Sequence, residues 1–443
     1  MKKLYLVLLI ALGALLLGIG AYSVVNFIQK GAPLPQATLP KLMDGTYTAE
    51  LEDAYTKQFP GREPLLSANR LLNRLYYFTP TEQNVLTVEY QGGAELGGER
   101  LQQPAQKPVA ETPKPVQAPK PAPEPEPILP TVETPAEQDV TAVGTIIING
   151  NRAMDIPTAD NDIIRSYAAA VNRIAEKAGK DVRVFSLVTP NAGQFYSPES
   201  MHTGEHDQKT MIDLCHSALS GQVTPVDAYS AMAAHADEYL YFRTDHHWTQ
   251  KGAYYAYTAF CKAAGFPCAP LDSYESGEYR NFVGSMYNYT SGYAQSEALK
   301  NQPDTLTYYL PRVETHARYY LDATMSEHYT IATVDTNLRE EVTNKYLCFL
   351  CGDTPITVID TAAEGGTCLV LKESYGNALV PFLTEHYSRV ITVDPREFCA
   401  EGKPAIDLWK FMRLQRVDDV LIVNYPFMMN SKLYVSQLNN LIP

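Results

Sequence analysis

Between Pro104 and Pro135 the chain carries 11 of its 31 prolines, interleaved with Lys, Glu, Ala and Val. No helix or sheet forms in such a stretch, because each proline fixes φ and removes a backbone donor. Residues 101–139 therefore read as an extended, disordered Pro-rich linker that divides the chain in two. At about 3.1 Å per residue the spacer reaches on the order of 100 Å. A tether crossing a cell wall and a plain flexible linker both fit this composition.

Ahead of the linker, Leu4 to Phe27 runs 24 residues without a charge. That suffices for a helix crossing about 30 Å of hydrocarbon. Lys2 and Lys3 precede it, which predicts a cytoplasmic N-terminus and places the rest of the chain outside. A cleaved signal peptide is the rival, but its apolar core is shorter, about 7–15 residues, and no A-x-A site follows here. The expectation is a single-pass transmembrane signal anchor over residues 1–30. Residues 40–100 read as a juxtamembrane helical segment. There Leu65, Leu66, Ala68, Leu71, Leu72 and Leu75 share a helix face behind a turn at Gln58–Glu63.

The formal net charge of −14 leaves no basic stripe to neutralise phosphates, so no nucleic-acid partner is expected. Seven cysteines in 443 residues are too sparse for a disulfide scaffold. Outside the membrane a pair is permitted, and Cys261 with Cys268 across a Gly-Pro-containing loop is the candidate. Cys348 and Cys351 form a C-x-x-C on an expected strand, which would put them on opposite faces.

From about residue 140 to 443 the pattern is globular, long enough for a single core. Strands are expected at 144–148, 182–188, 239–242, 346–351, 357–361, 368–371, 390–393 and 420–424. Helices are expected near 158–177 (capped by Thr158), 208–219, 225–236, 249–264, 375–386, 405–413 and 432–441. Strands alternating with helices imply an α/β domain: a largely parallel sheet with helices on both faces. Residues 274–309 are Tyr/Ser/Gly-rich and read as loops with strand pieces.

Two segments fall where an open α/β sheet places its active site, beyond the carboxyl ends of strands. One is Arg243-Thr-Asp-His-His-Trp248, between a short strand and a helix. An acid and an imidazole two residues apart meet if the backbone turns, and the acid then fixes the ring tautomer. A capping acid at a helix start is the plain alternative. A metal reading would use Asp245, His246 and His247, with His202 and His206; no metal or cofactor is the expectation. The second segment is Leu369-Val-Leu-Lys-Glu-Ser-Tyr-Gly-Asn-Ala378, where an apolar strand runs into a helix with Ser374 at the bend. Its Oγ would sit at a helix N-terminus, where amides stabilise an oxyanion. An ordinary Ser N-cap is the alternative. Together they are the parts of a Ser-His-Asp triad.

Thr244-Asp-His-His-Trp-Thr249 resembles the hallmark of the DHHW protein family. That family is similar to the AlgX/AlgJ-like alginate O-acetyltransferases, which carry an SGNH-hydrolase-like domain. Gln58-Phe-Pro-Gly-Arg62, Ile147-Ile-Asn-Gly-Asn-Arg152, Phe282-Val-Gly-Ser285, Lys372-Glu-Ser-Tyr-Gly376 and Val393-Asp-Pro-Arg396 match as well. The resemblance implies an SGNH-hydrolase-like catalytic domain over 140–443, with Ser374 as nucleophile, His247 as base and Asp245 as its orienter. The D-x-H precedes the serine here, opposite to ordinary SGNH hydrolases. The usual oxyanion blocks are not evident, which leaves backbone amides of Gly352, Asp353 or Tyr375. Arg396 is a candidate for orienting substrate, and Tyr287, Tyr289 and Tyr293 for stacking on sugar rings or simply packing.

The function so implied is membrane-anchored, extracytoplasmic O-acetylation of a cell-surface or secreted polysaccharide. A membrane-bound acyltransferase of the MBOAT type would be the acyl donor. A carbohydrate acetyl esterase and a non-catalytic glycan-binding scaffold are the alternatives.

Overall fold

The computed structural model describes residues 140–322, 324–326, 328–399 and 403–442. The expected signal anchor, juxtamembrane helix and Pro-rich linker lie outside these residues. Among the described residues no helix is long and apolar enough to cross a membrane.

In chain order the strands are β1 (Val140–Val143), β2 (Ile146–Asn149), β3 (Arg152–Asp155), β4 (Arg183–Val188), β5 (Val223–Val226), β6 (Ser276–Phe282) and β7 (Asp304–Tyr309). They continue with β8 (Thr315–Tyr320), β9 (His328–Thr330), β10 (Ile356–Thr361), β11 (Thr367–Lys372), β12 (Arg389–Val393) and β13 (Asp419–Asn424). The longer helices are α1 (Asn161–Ala178), α2 (Gln208–Ser217), α3 (Gln250–Ala264), α4 (Tyr375–Leu383), α5 (Leu408–Gln415) and α6 (Lys432–Asn440).

The main sheet runs β5-β4-β13-β11-β12-β10-β8-β9. Its first five strands are mutually parallel, with Leu369 of β11 opposite Val420 of β13 and Leu421 of β13 opposite Phe185 of β4. From β12 onward the pairing turns antiparallel. The sheet is therefore mixed, where the sequence pattern predicted a largely parallel one. The reason lies in chain length. Only residues 362–366 separate β10 from β11, and a parallel crossover needs a dozen or more.

The parallel strands read as continuous apolar runs because both faces are covered. Along β13, Val420 and Ile422 pack into a layer with Ile164 and Val171 of α1, Ile212 of α2, Phe411 of α5 and Leu438 of α6. Leu421 and Val423 point the other way, toward Phe260 of α3 and Leu379 of α4. Helices thus cover both faces, as the alternation predicted. The cap of α1 is Asp160, whose carboxylate accepts from the amides of Asp162 and Ile163 at 3.1 Å, rather than Thr158.

Three local expectations change. Residues 346–351 are not a strand. A 3₁₀ turn at Lys345–Cys348 runs into Leu350, Cys351 and Gly352, all left-handed with φ of 52°, 53° and 84°. That reversal, costly for the two non-glycine residues, leads the chain through Asp353 into β10 and takes the C-x-x-C off any strand. Tyr239–Phe242 makes a single bridge, Tyr241 to Trp248. Within the expected helix 225–236, Pro225 and Val226 complete β5, and the helical turn at Ala228–Ala233 starts only after Asp227 caps it. A small sheet, β1-β2-β3, packs Ile146, Ile148 and Ala153 on Met286 and Leu299, which fixes the short helix Ser285–Thr290.

Candidate active site

The loop 243–249 is built around a buried acid. Asp304, at the start of β7, accepts from the amides of Arg243 and Thr244 at 3.0 and 2.8 Å and from the Thr244 hydroxyl at 2.7 Å. The Arg243 guanidinium pairs with it at 3.0 Å. A second clamp comes from the start of the helix Ser285–Thr290. The Ser285 amide donates to Asp245 Oδ2 at 2.8 Å, and the Gly284 amide to Thr244 Oγ1 at 3.0 Å.

So held, Asp245 turns back on its neighbour. Its Oδ1 accepts from the His247 amide at 2.9 Å and from His247 Nδ1 at 2.6 Å. Burial pushes the Asp245 carboxyl up, but the charge and hydrogen bond of His247, then His246 and the Ser285 amide, outweigh it and hold it well below the usual carboxylate range. The bond at Nδ1 fixes a tautomer with the lone pair on Nε2. The imidazole lies flat on the Tyr346 ring, centroids 3.8 Å apart and planes 7° from parallel. Nε2 is buried and has no hydrogen-bond partner.

Ser374 follows β11 and opens α4. Its backbone is already helical, and its side chain makes no capping bond. The hydroxyl donates to Glu373 Oε2 at 3.3 Å. The Ser374 carbonyl accepts from the Tyr346 hydroxyl at 3.1 Å, so the residue beneath the histidine also holds the serine's backbone. Asp245, His247 and Ser374 all line one cavity of about 540 Å³. It sits beyond the carboxyl ends of β11, β12 and β13, where parallel strands of an open sheet place ligands. No bond joins Ser374 to His247 in this arrangement: the hydroxyl is turned to Glu373.

A model of the DHHW protein family matches residues 124–393. The chain belongs to the DHHW protein family. A DHHW family protein from Eubacterium siraeum is similar at 31% identity and a TM-score of 0.60, over 69% of this chain and 98% of that one. Bacillus cereus PatB1, solved with a sulfonyl adduct, shares the fold at 17% identity and a TM-score of 0.52, over 65% of this chain and 97% of its own. The O-acetyltransferase domain of Pseudomonas putida AlgJ is similar at 14% identity and a TM-score of 0.37, over 68% of this chain and 98% of that one. No curated protein sequence matches the chain.

Around the serine this DHHW protein differs from the expected oxyanion arrangement. The Tyr375 amide is taken by Glu373 Oε2 at 3.0 Å, and the Gly352 amide by the Phe349 carbonyl at 3.0 Å. Asp353 and Arg396 do reach the cavity, but they pair with each other at 2.7 Å, and Arg396 also clasps Asp394 at 2.6 Å. Partial burial pushes Asp353 up, yet Lys372 and Arg396 hold it at about 2. Asn377 was not singled out from sequence. It is buried on the cavity wall, with its oxygen bonded to Lys372 and its nitrogen donating to Asp353 at 3.0 Å. A carboxamide has two N–H donors, so one remains. Its sequence signal was its place one helical turn beyond the serine.

Of the five residues considered for a metal, Asp245, His246 and His247 have ligand atoms within 4.8 Å of one another. His202 and His206 do not join them: His202 pairs with Ser197 at 3.1 Å, and His206 faces the Pro157 carbonyl at 3.1 Å. His246 Nδ1 is engaged by Ser285 Oγ at 2.5 Å, and burial together with the neighbouring His247 pushes its pKa down to about 3. Tyr289 lines the cavity and is 63% exposed; Tyr287 instead packs on the small core beneath β2, and Tyr293 is exposed on the loop after the helix Ser285–Thr290. Cys261 and Cys268, the candidate pair, are not joined by a disulfide.

Proposed function

We propose that this DHHW protein is a membrane-anchored, extracytoplasmic O-acyltransferase that acetylates hydroxyls of a cell-surface or secreted polysaccharide. It uses Ser374 as nucleophile, His247 as base and Asp245 as its orienter, in an SGNH-hydrolase-like site. The observation that carries this reading is the 2.6 Å Asp245–His247 pair, its Nε2 unpartnered, on the wall of the cavity that Ser374 also lines.

In the first half-reaction the Ser374 hydroxyl rotates from Glu373 to His247 Nε2 and gives it the proton. Its oxygen bonds to the acyl carbon while the carbonyl electron pair moves onto oxygen. The second N–H of Asn377 is the side-chain donor on hand for that oxyanion. Collapse expels the donor's oxygen, which takes the proton from His247. In the second half-reaction a sugar hydroxyl gives its proton to Nε2 and attacks the acyl-serine, and Ser374 leaves carrying that proton. Asp245 stays ionised and stabilises the imidazolium formed in each half.

Acetyl-coenzyme A is not expected outside the cell, so a membrane-bound acyltransferase of the MBOAT type is proposed as donor. Leu4–Phe27 would hold the protein in the membrane, and residues 101–139 would carry the folded unit toward polymer. Release of that unit from membranes by protease cleavage within 101–139 checks the tether.

The test is turnover of a chromogenic acetyl ester by the full-length chain in detergent. Wild type is expected to turn over and Ser374→Ala to lose essentially all of it. Equal rates would sink the triad. With an oligosaccharide added, acetylated sugar marks transfer, and acetate alone marks the esterase alternative. Glycan binding without ester turnover marks the scaffold.

A further inference from the structure

Glu373 directly precedes Ser374, is fully buried, and lies on the cavity wall. Its Oε2 accepts from the Tyr375 amide and the Ser374 hydroxyl, while Oε1 has no partner. A buried carboxylate normally collects several donors or a cation. Here Arg396, the nearby cation, already donates through Nε and Nη2 to Asp394 and through Nη2 to Asp353. Oε1 is thus the oxygen that takes a proton without breaking any bond.

We propose that Glu373 is a positioning residue for Ser374: with a proton on Oε1 it yields the serine hydroxyl to His247, and when ionised it holds that hydroxyl back. This rests on the acyl-transfer reading above. A charged oxygen is about twice as good an acceptor as a neutral one, so ionisation strengthens the bond that Ser374 must break. A carboxylate beside the reacting carbonyl also opposes the oxyanion. Burial is the largest influence on this carboxyl, raising it to about 7 against the pull of Arg396, the Tyr375 amide and His247. Protonation therefore prevails below about 7 and the holding form above it.

The ionisable groups facing Glu373 are His247 on the loop before α3, Asp353 ahead of β10 and Arg396 after β12. Phenols face it from Tyr167 on α1, Tyr346 on the 3₁₀ turn, Tyr375 on α4, Tyr425 after β13 and Tyr434 on α6. Burial pushes all five phenols well above their ordinary value, so they stay neutral. Arg396 and Asp353 keep their charges throughout, and His247 is common to wild type and variant. Asp155, on the same wall, is pushed up to about 6 by burial and the charge of Asp245, so it titrates about a unit lower.

The experiment compares full-length wild type, Glu373→Gln and Glu373→Asp by ester turnover from about pH 5.5 to 9, with infrared spectra over the same range. Wild-type kcat/KM is expected to fall above about 7, approaching tenfold per pH unit. Glu373→Gln, neutral at every pH, is expected to keep its rate and exceed wild type about tenfold one unit above that midpoint. Glu373→Asp, too short to reach the hydroxyl, should also lack the alkaline fall. Wild type alone should show a protonated-carboxyl infrared band that bleaches near 7 and that is missing in Glu373→Gln. Matching alkaline limbs in wild type and Glu373→Gln, or survival after the substitution of the band that bleaches near 7, overturns the proposal. Equal turnover by wild type and Ser374→Ala is a different failure: it removes the nucleophile, and this inference with it.

Discussion

The indole N–H of Trp248 donates to the main-chain carbonyl of Tyr375 at 2.9 Å, and the Tyr375 hydroxyl donates back to the carbonyl of His246 at 2.5 Å. Two segments more than a hundred residues apart are thereby stitched into one wall. The histidine loop and the serine turn cannot shift independently while both bonds stand.

Trp248→Phe keeps an aromatic ring in the core and removes the N–H. It leaves the buried Tyr375 carbonyl with only the long 3.5 Å contact from the Tyr346 hydroxyl as a side-chain donor, a loss of about 1 kcal/mol. The variant is expected to fold with a lowered denaturation midpoint and to lose about tenfold or more in ester turnover, because small misplacements at a reacting centre are expensive. Full activity together with lowered stability would mean that the link supports the fold alone.

Gly284 is expected to tolerate no side chain. Its φ of −96° is open to any residue, so the demand is spatial: an added Cβ would sit 2.3 Å from Asp245 Cβ and 2.4 Å from its Oδ2. Gly284→Ala should push Asp245 off His247 Nδ1. A triad whose acid fails to orient the imidazole loses up to about 10⁴ in turnover. A loss of about a hundredfold in kcat with little change in KM is the expected kinetic result.

Asp304→Ala tests the frame of the loop rather than its chemistry. The carboxylate is buried beneath two amides, the hydroxyls of Thr244 and Tyr239, and the Arg243 guanidinium. Removing it strands all five, at about 3–5 kcal/mol for a broken buried ion pair. Urea unfolding should show a midpoint shift of that size at unchanged m-value, with Asp304→Asn intermediate.

The parallel half of the sheet was legible because its strands are short apolar runs between amphipathic helices. In the antiparallel half β10 was legible too, but β8 and β9 were not. β8 alternates Tyr, His, Thr and Arg in a pattern weak enough to pass for loop, and the sign of a strand pairing depends on connection length more than on composition. At the site, the acid-x-histidine spacing and the serine at a strand end could be read locally. Asp304 and Tyr346 could not, since each takes its place only through partners far away in sequence. Glu373 was in view beside Ser374, yet only its burial and its orphaned Oε1 give it a task. The amides of Gly352 and Tyr375, offered in place of the family's usual oxyanion blocks, have partners within the fold.

Cys268 should be the fastest-reacting thiol. It is exposed, and a hydrogen bond from Cys261 lowers its pKa to about 7 against the opposing effect of burial. The thiolate is the nucleophile, so alkylation by iodoacetamide should rise with pH through a midpoint near 7. Buried Cys215, with its thiol pushed up to about 12, should remain unlabelled. Cys261→Ala removes the donor and should move the midpoint up toward the ordinary thiol range. Peptide mapping of the labelled protein checks both.

The cavity lining includes Tyr289, 63% exposed, and Phe427, 43% exposed, beside the charged Asp155, Asp353 and Arg396. Exposed aromatic faces are costly to leave wet and useful where a ligand has one apolar face and a hydroxylated rim. A pyranose ring is such a ligand, and a small chromogenic ester is not. Phe427 is backed by Tyr425, ring centroids 6.1 Å apart, and Tyr425 by Tyr375 at 4.3 Å, so that platform is rigidly tied to α4. Tyr289→Ala and Phe427→Ala should therefore raise KM for an oligosaccharide acceptor several-fold while the ester's kcat/KM changes less than about twofold. If both substrates weaken together, the rings shape the serine's surroundings instead of the acceptor's path. If neither does, the two rings take no part in acceptor binding.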